Sequence, residues 1–215
     1  MLDILDKMDK VVRVMAIIAC VSALVLTILT LTGIGPLVKL FGHKVEYEEG
    51  TYTIDGYASS LLGYKFTTPE NCMLNKGSDK PDLAKLVPVD SIREKVEDGT
   101  FALDLSASYT SGTSISVVAV FNEKYLNKKE KEQWEVYKSA CEKMGLGNVE
   151  DGIETDLMGR KCLKFSTKIE GYIGNAILEQ YVFIEDGFSW LITIANIEGR
   201  EQEAEELLNA FSAYE

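Results

Sequence analysis

The hydrophobic pattern divides the chain into two regimes. Residues 14–33 read VMAIIACVSALVLTILTLTG, an apolar run with no charge and no polar face. About 20 helical residues rising ~1.5 Å each cover the ~30 Å hydrocarbon core of a bilayer, so the run is long enough to span one. After residue 50 the period shortens to two. Residues 51–54, 57–62 and 64–67 read as extended, and Pro69 stops the last of them. A helical segment follows at about 79–98, with Pro88 near a helix start. Residues 101–109 alternate, with Phe101, Leu103, Leu105, Ala107 and Tyr109 on one side and Asp104, Ser106 and Ser108 on the other, the pattern of a half-buried strand. Beyond the TSGT turn, Ile115, Val117, Ala119 and Phe121 line one face of the next strand. Val118 and Val120 make its other face apolar too, which predicts cover on both sides.

The second half continues in the same way. NKKEKEQWEVYKSACEKMGLG is punctuated as a helix, with Asn127 as N-cap, Glu130 three residues on, and Gly145 as C-cap. Trp134, Tyr137, Cys141 and Met144 share its inner face. Strands are expected at 153–157, 161–169, 176–185 and 188–195, the last two joined by Asp186 and Gly187 as a tight hairpin. In GREQEAEELLNAFSAYE, residues Ala204, Leu207, Leu208 and Phe211 fall at i, i+3, i+4 and i+7, and the opposite face is nearly all Glu. Strand pairs separated by single helices predict an α+β domain, an antiparallel sheet with helices packed on it.

Three fates are open to the apolar run. A cleaved secretory signal has a shorter run, roughly 7 to 15 residues, followed by small residues at the cut. This run is longer, and LTLTGIGPL offers no such site. Ile17, Ile18, Ala19 and Cys20 resemble a bacterial lipobox, yet only about six apolar residues precede Cys20 and the apolar stretch continues to Leu31. Length therefore favours a retained signal-anchor helix. Lys7, Lys10 and Arg13 precede it, which favours a cytoplasmic N-terminus and an exported C-terminal domain. The division is a short cytoplasmic segment at 1–13, a transmembrane helix at 14–35 ended by Pro36, a juxtamembrane linker at 36–50 that turns polar from about His43, and an extracytoplasmic domain at 51–215.

Charge narrows the partners. The 215 residues carry a net charge of −12, the first 43 contribute +1, and the domain and its lead-in hold −13. A domain so acidic repels phosphate backbones, which excludes nucleic acid as a partner.

Candidate chemistry is sparse. The single histidine, His43, lies in the linker, which removes the commonest general base, every Ser-His or Cys-His pair and nearly all zinc sites. Ser111, Gly112, Thr113 and Ser114 sit where a hairpin must turn, and no Gly-x-Ser-x-Gly, phosphate-binding loop or EF-hand loop is present. Cys72, Cys141 and Cys162 are compatible with one disulfide and a free thiol, although Cys141 on an apolar helix face reads as a buried thiol. Glu201, Glu203, Glu205 and Glu206 read as a solvated helix face, because a regular helix spreads carboxylates apart where calcium needs them convergent. Trp134, Phe188 and Trp190 follow core periodicity. Tyr57, Tyr64 and Tyr172 lie near predicted turns or strand ends, where exposed aromatics can anchor partners. No catalytic, cofactor-binding or metal-binding residue emerges, and no cofactor is implied.

Several phrases resemble the PsbP-like family, whose fold is shared with a Ran-binding nuclear import factor and small bacterial lipoproteins. They are GYKFTTPENC, the hairpin FALDLSASYTSGTSISVVAVF, the meander MGRKCLKFSTKIEGYIGNAILEQYVFIEDGFSWLITIAN and the closing EAEELLNAF. The match is one of pattern and order over about residues 51–214. It implies an antiparallel sheet of about six strands sandwiched between helices, in exported, tethered proteins that bind other proteins and have no known enzymatic activity. The functional expectation is a membrane-tethered, non-enzymatic interaction module that meets another envelope protein at the cell membrane. The alternative is a sensor or carrier of a small ligand or cation held between sheet and helices. Mass spectrometry of the membrane-extracted protein tests the anchor: an intact N-terminus is expected, and a diacylglyceryl group on Cys20 refutes it.

Overall fold

The computed structural model describes residues 47–76, 101–121, 152–171, 174–185 and 188–214. The expected transmembrane segment at 14–35, the helices at 79–98 and 127–145, and the residues Cys20, His43, Trp134, Cys141 and Tyr172 lie outside them. No helix among the described residues is long and apolar enough to cross a membrane.

Strands dominate, and they form two antiparallel sheets. The smaller sheet has β1 (Thr51–Tyr52), β2 (Gly56–Ser59) and β3 (Tyr64–Thr67), completed by the C-terminal β11 (Phe211–Ala213) in the order β1-β2-β3-β11. The larger sheet holds β4 (Cys72–Leu74), β5 (Phe101–Tyr109), β6 (Ser114–Val120), β7 (Ile153–Leu157), β8 (Arg160–Gly171), β9 (Gly174–Glu185) and β10 (Phe188–Ile197). Its order is β4-β5-β6-β10-β9-β8-β7. One helix, α1 (Glu201–Asn209), follows β10. The prediction of a single sheet of about six strands is thus corrected to two sheets. The reason lies in the first strands, whose Tyr57, Tyr64 and Phe66 are buried against the core and would be half exposed at the edge of the large sheet.

Local sequence accounts for the connections. Met158 and Gly159 both have positive φ, 58° and 70°, the geometry of the two-residue hairpin turn whose twist matches its strands. It closes the β7–β8 pair at Leu157 opposite Arg160. β9 and β10 pair from Glu185 opposite Phe188, as Asp186 and Gly187 predict. The β5–β6 turn holds Gly112 at φ 104°, so the serine and threonine around it belong to a turn. Gly56 is fixed by contact, because a Cβ there would stand 1.8 Å from the Phe66 carbonyl oxygen.

The core fills the space between the sheets. β10 faces it with Phe188, Trp190, Ile192 and Ile194, joined by Ile115, Val117 and Ala119 of β6 and Leu207 of α1. Trp190 is fully buried, stacks on Phe183 with ring centroids 3.9 Å apart, and meets Tyr64 of the small sheet at 5.7 Å. The opposite face of the large sheet is buried too. Leu163, Val182, Leu191 and Val118 stand directly opposite one another across four strands, and Val118 and Val120 are inaccessible, as their apolar run predicts.

Two sequence readings change here. The C-terminal helix ends at Asn209, and Phe211, expected on its apolar face, begins β11, where its ring meets Phe66 at 5.0 Å and Tyr64 at 5.3 Å. The alternation of β5 is also broken. Its register against β6 shifts between Leu103 and Leu105, which leaves Asp104 as an extra residue. Such a bulge puts successive side chains on one face, so Asp104 turns into the core with Leu105 instead of to the opposite face with Ser106 and Ser108.

Removal of the central ring is expected to be costly. Trp190→Ala should lower unfolding free energy by about 3–5 kcal/mol in urea titrations. Ile54→Ala, at a fully exposed turn tip, should stay within about 0.5 kcal/mol of the parent.

Candidate functional site

The densest polar constellation among the described residues surrounds Asp104, whose side chain is shut off from solvent. The Tyr47 and Tyr57 hydroxyls donate to Oδ1, each at 2.9 Å, and the Tyr64 hydroxyl donates to Oδ2 at 2.6 Å. Tyr57 oxygen in turn accepts the Gly50 N–H at 2.7 Å. The four side chains come from different parts of the fold: Tyr57 from β2, Tyr64 from β3, Asp104 from the bulge of β5, and Tyr47 from the segment before β1. A buried carboxylate is tolerated only where donors replace its water, and hydrogen bonds to a charged group contribute about 1.5–3 kcal/mol each. The constellation therefore clamps the small sheet and the lead-in segment onto the large sheet. Residues 47–50, expected in the linker, are bonded into the domain.

Burial raises the pKa of all three phenols from their ordinary 10.0, and the Asp104 charge raises them further. Tyr57 and Tyr64 are held as neutral donors inside the core, and the half-buried Tyr47 donates to the same carboxylate from its margin. Tyr57 and Tyr64, read from sequence as exposed anchors, are buried instead. Nothing in sequence spacing brings residues 47, 57, 64 and 104 together; the faint signal was an acidic residue inside an otherwise Ser-and-apolar strand.

A second cluster lies where α1 meets the β5–β6 turn. Tyr109 hydroxyl donates to Glu206 Oε2 at 2.7 Å, and Ser111 hydroxyl donates to Glu203 Oε2. Glu206 Oε1 accepts Gln202 Nε2 at 3.0 Å, and Glu201, fully exposed, accepts the Gly199 N–H at 2.9 Å, a bond that lowers its pKa. Two of the four helix carboxylates thus dock α1 on the sheet, where a solvated face had been expected. Ser111 is a turn residue. Cys72, opposite Tyr109, and the buried Cys162 are both free thiols, each pushed up to about 11 by burial, which leaves them poor nucleophiles near neutrality. No disulfide involves either.

A third cluster surrounds Arg160. Nη1 donates to the Leu62 carbonyl at 2.7 Å, Nη2 pairs with the Glu185 carboxylate, and the guanidinium lies 5.3 Å from the Trp190 ring centroid and 5.7 Å from that of Phe183. It ties the β7–β8 turn to the β2–β3 turn. Among the described residues no group of three His, Cys, Asp or Glu side chains could hold a metal ion.

No known protein family matches the sequence, and no curated protein does. Among solved structures, the chain is similar to LpqN, involved in cell envelope biogenesis of Mycobacterium tuberculosis. The TM-score is 0.45 at 10% identity, over 71% of this chain and 83% of LpqN. It is also similar to the cyanobacterial PsbP (CyanoP) of Synechocystis sp. PCC 6803, with a TM-score of 0.45 at 10% identity, over 78% of this chain and 98% of that one.

The clamp predicts a graded response. Asp104→Ala, which leaves three phenols without an acceptor, should cost about 3–5 kcal/mol, and Asp104→Asn, whose amide oxygen still accepts, clearly less. The phenols also set an alkaline limit. Below about pH 10 they are protonated in folded and unfolded chains alike and their contribution is complete; above it the unfolded chain ionises first, so stability falls as pH rises toward the raised folded-state values. Urea titrations across pH check both, and equal losses for the two substitutions would refute the clamp.

Proposed function

We propose that this chain is a membrane-tethered, non-enzymatic binding module of the PsbP-like kind, displayed outside the cytoplasm, where it meets another envelope protein. The apolar run at 14–35 is the tether, and the acidic domain behind it is the part displayed. One observation carries the reading: among the described residues, the clustered polar side chains are engaged in holding the fold. Asp104 clamps two sheets, Glu203 and Glu206 dock α1, and Arg160 joins two turns over an aromatic stack. The family resemblance in the order of hairpins and closing helix supports the same reading. The bonding of Tyr47 and Gly50 into the core supports the tether, because pull on the lead-in segment is delivered to the centre of the domain and not to a strand edge.

Protease shaving of intact cells, with crosslinking of the membrane-bound protein and mass spectrometry, tests it. The domain is expected to be cleaved from outside, to stay with membranes in alkaline carbonate, and to give a reproducible protein crosslink. A domain protected in intact cells, or released by carbonate, rejects the proposal.

A further inference from the structure

Among the described residues the seven-stranded sheet ends on β7, and that edge differs from the others. The outer strands β1, β4 and β11 have two or three residues, whereas β7 has five. Short edge strands protect themselves from pairing with other chains; a five-residue one offers a ladder. Ile153 on it is 61% exposed, and Glu154 and Asp156 are exposed.

Register fixes what the edge presents. The two-residue turn makes Leu157 and Arg160 a hydrogen-bonded pair, and bonded pairs recur at every second residue, here Thr155 with Cys162 and Ile153 with Lys164. The N–H and C=O groups of Glu154 and Asp156 therefore point away from β8. Both carboxylates stand on one face of the sheet, the face of Leu163. Glu154 lies opposite Leu163 and Asp156 opposite the exposed Lys161, and neither forms an ion pair with a described residue. The residues on the other face, Ile153, Thr155 and Leu157, are apolar or small.

We infer that β7 is a docking edge for an extended segment of another protein, one with two basic residues separated by a single apolar residue. The inference rests on the binding-module reading and names the surface and the chemistry of the partner. Paired antiparallel, the outward backbone groups of residues 154 and 156 bond to the two basic residues, whose side chains then lie directly opposite Glu154 and Asp156. The apolar residue between them falls on the side of Ile153 and Leu157. A second copy of this chain fits badly. In a fully overlapped pair of β7 strands, outward-facing residues must meet outward-facing residues, which sets Glu154 and Asp156 of one copy against those of the other, and like charges directly opposite repel.

The test uses the full chain in detergent micelles and two fluorescent peptides, Thr-Lys-Val-Arg-Thr and its acidic counterpart Thr-Glu-Val-Asp-Thr, read by anisotropy. The basic peptide is expected to bind and the acidic one not. In Glu154→Lys/Asp156→Lys, basic-peptide affinity should fall at least about tenfold and the acidic peptide should gain binding. Glu154→Pro removes an outward N–H without touching the β8 ladder, and should abolish binding of the basic peptide. Lack of basic-peptide binding, binding that survives both variants, or self-association lost in Glu154→Pro would each overturn the proposal. A cellular crosslink that persists in Glu154→Lys/Asp156→Lys would overturn this edge while leaving the module reading intact.

Discussion

A carboxylate buried in an apolar core must be surrounded by donors, and much of this fold can be understood from that requirement. Asp104 reaches the core only because β5 carries one residue more than β6 needs. Its acceptors then demand hydroxyls, and three tyrosines supply them from three separate segments. Removal of any one leaves a buried charge less well satisfied, so the small sheet, the large sheet and the lead-in segment hold one another in place. The apolar contacts supply most of the stabilisation, but they are not directional. The clamp sets the angle and register at which the small sheet sits.

Around that point the aromatic rings form a continuous series of contacts, stacked in the large sheet and tilted or edge-on around Phe211. Phe183, Trp190, Tyr64, Phe211 and Phe66 pass from the large sheet to the small one, with Phe211 of the C-terminal strand between the two β3 rings. β11 returns to pair with β3, and Phe211 fills the space between Tyr64 and Phe66. Arg160 covers the Phe183 and Trp190 rings from the side while its donors fix the β2–β3 turn. The polar side chains that might have suggested catalysis act as fasteners between elements. β7 is fastened at its turn by Arg160, while Glu154 and Asp156 along its outer edge take no part in these fastenings.

Element type was legible along most of the described chain. The hairpin turn at residues 111–114 is marked by glycine, the pairing of β9 with β10 by Asp186 and Gly187, the two-sided apolar character of β6 by Val118 and Val120, and the core role of Trp190 and Phe188 by period two. Tyr57 and Tyr64 were placed wrongly, as exposed anchors, because a tyrosine near a turn looks the same in sequence whether its hydroxyl meets water or a buried acceptor.

Sequence by itself determined most of the strands, though not the short β4 and β11, together with the closing helix, the long apolar run before the domain, the strong acidity and the single histidine, since each depends on local periodicity or composition. Only tertiary structure decided that the strands divide into two sheets, that Phe211 leaves the helix to join one, and that Asp104 faces inward. Those outcomes depend on a one-residue bulge and on partners tens of residues away. The alternation that predicts which side a residue faces assumes an unbroken register, and a single extra residue at position 104 reverses it.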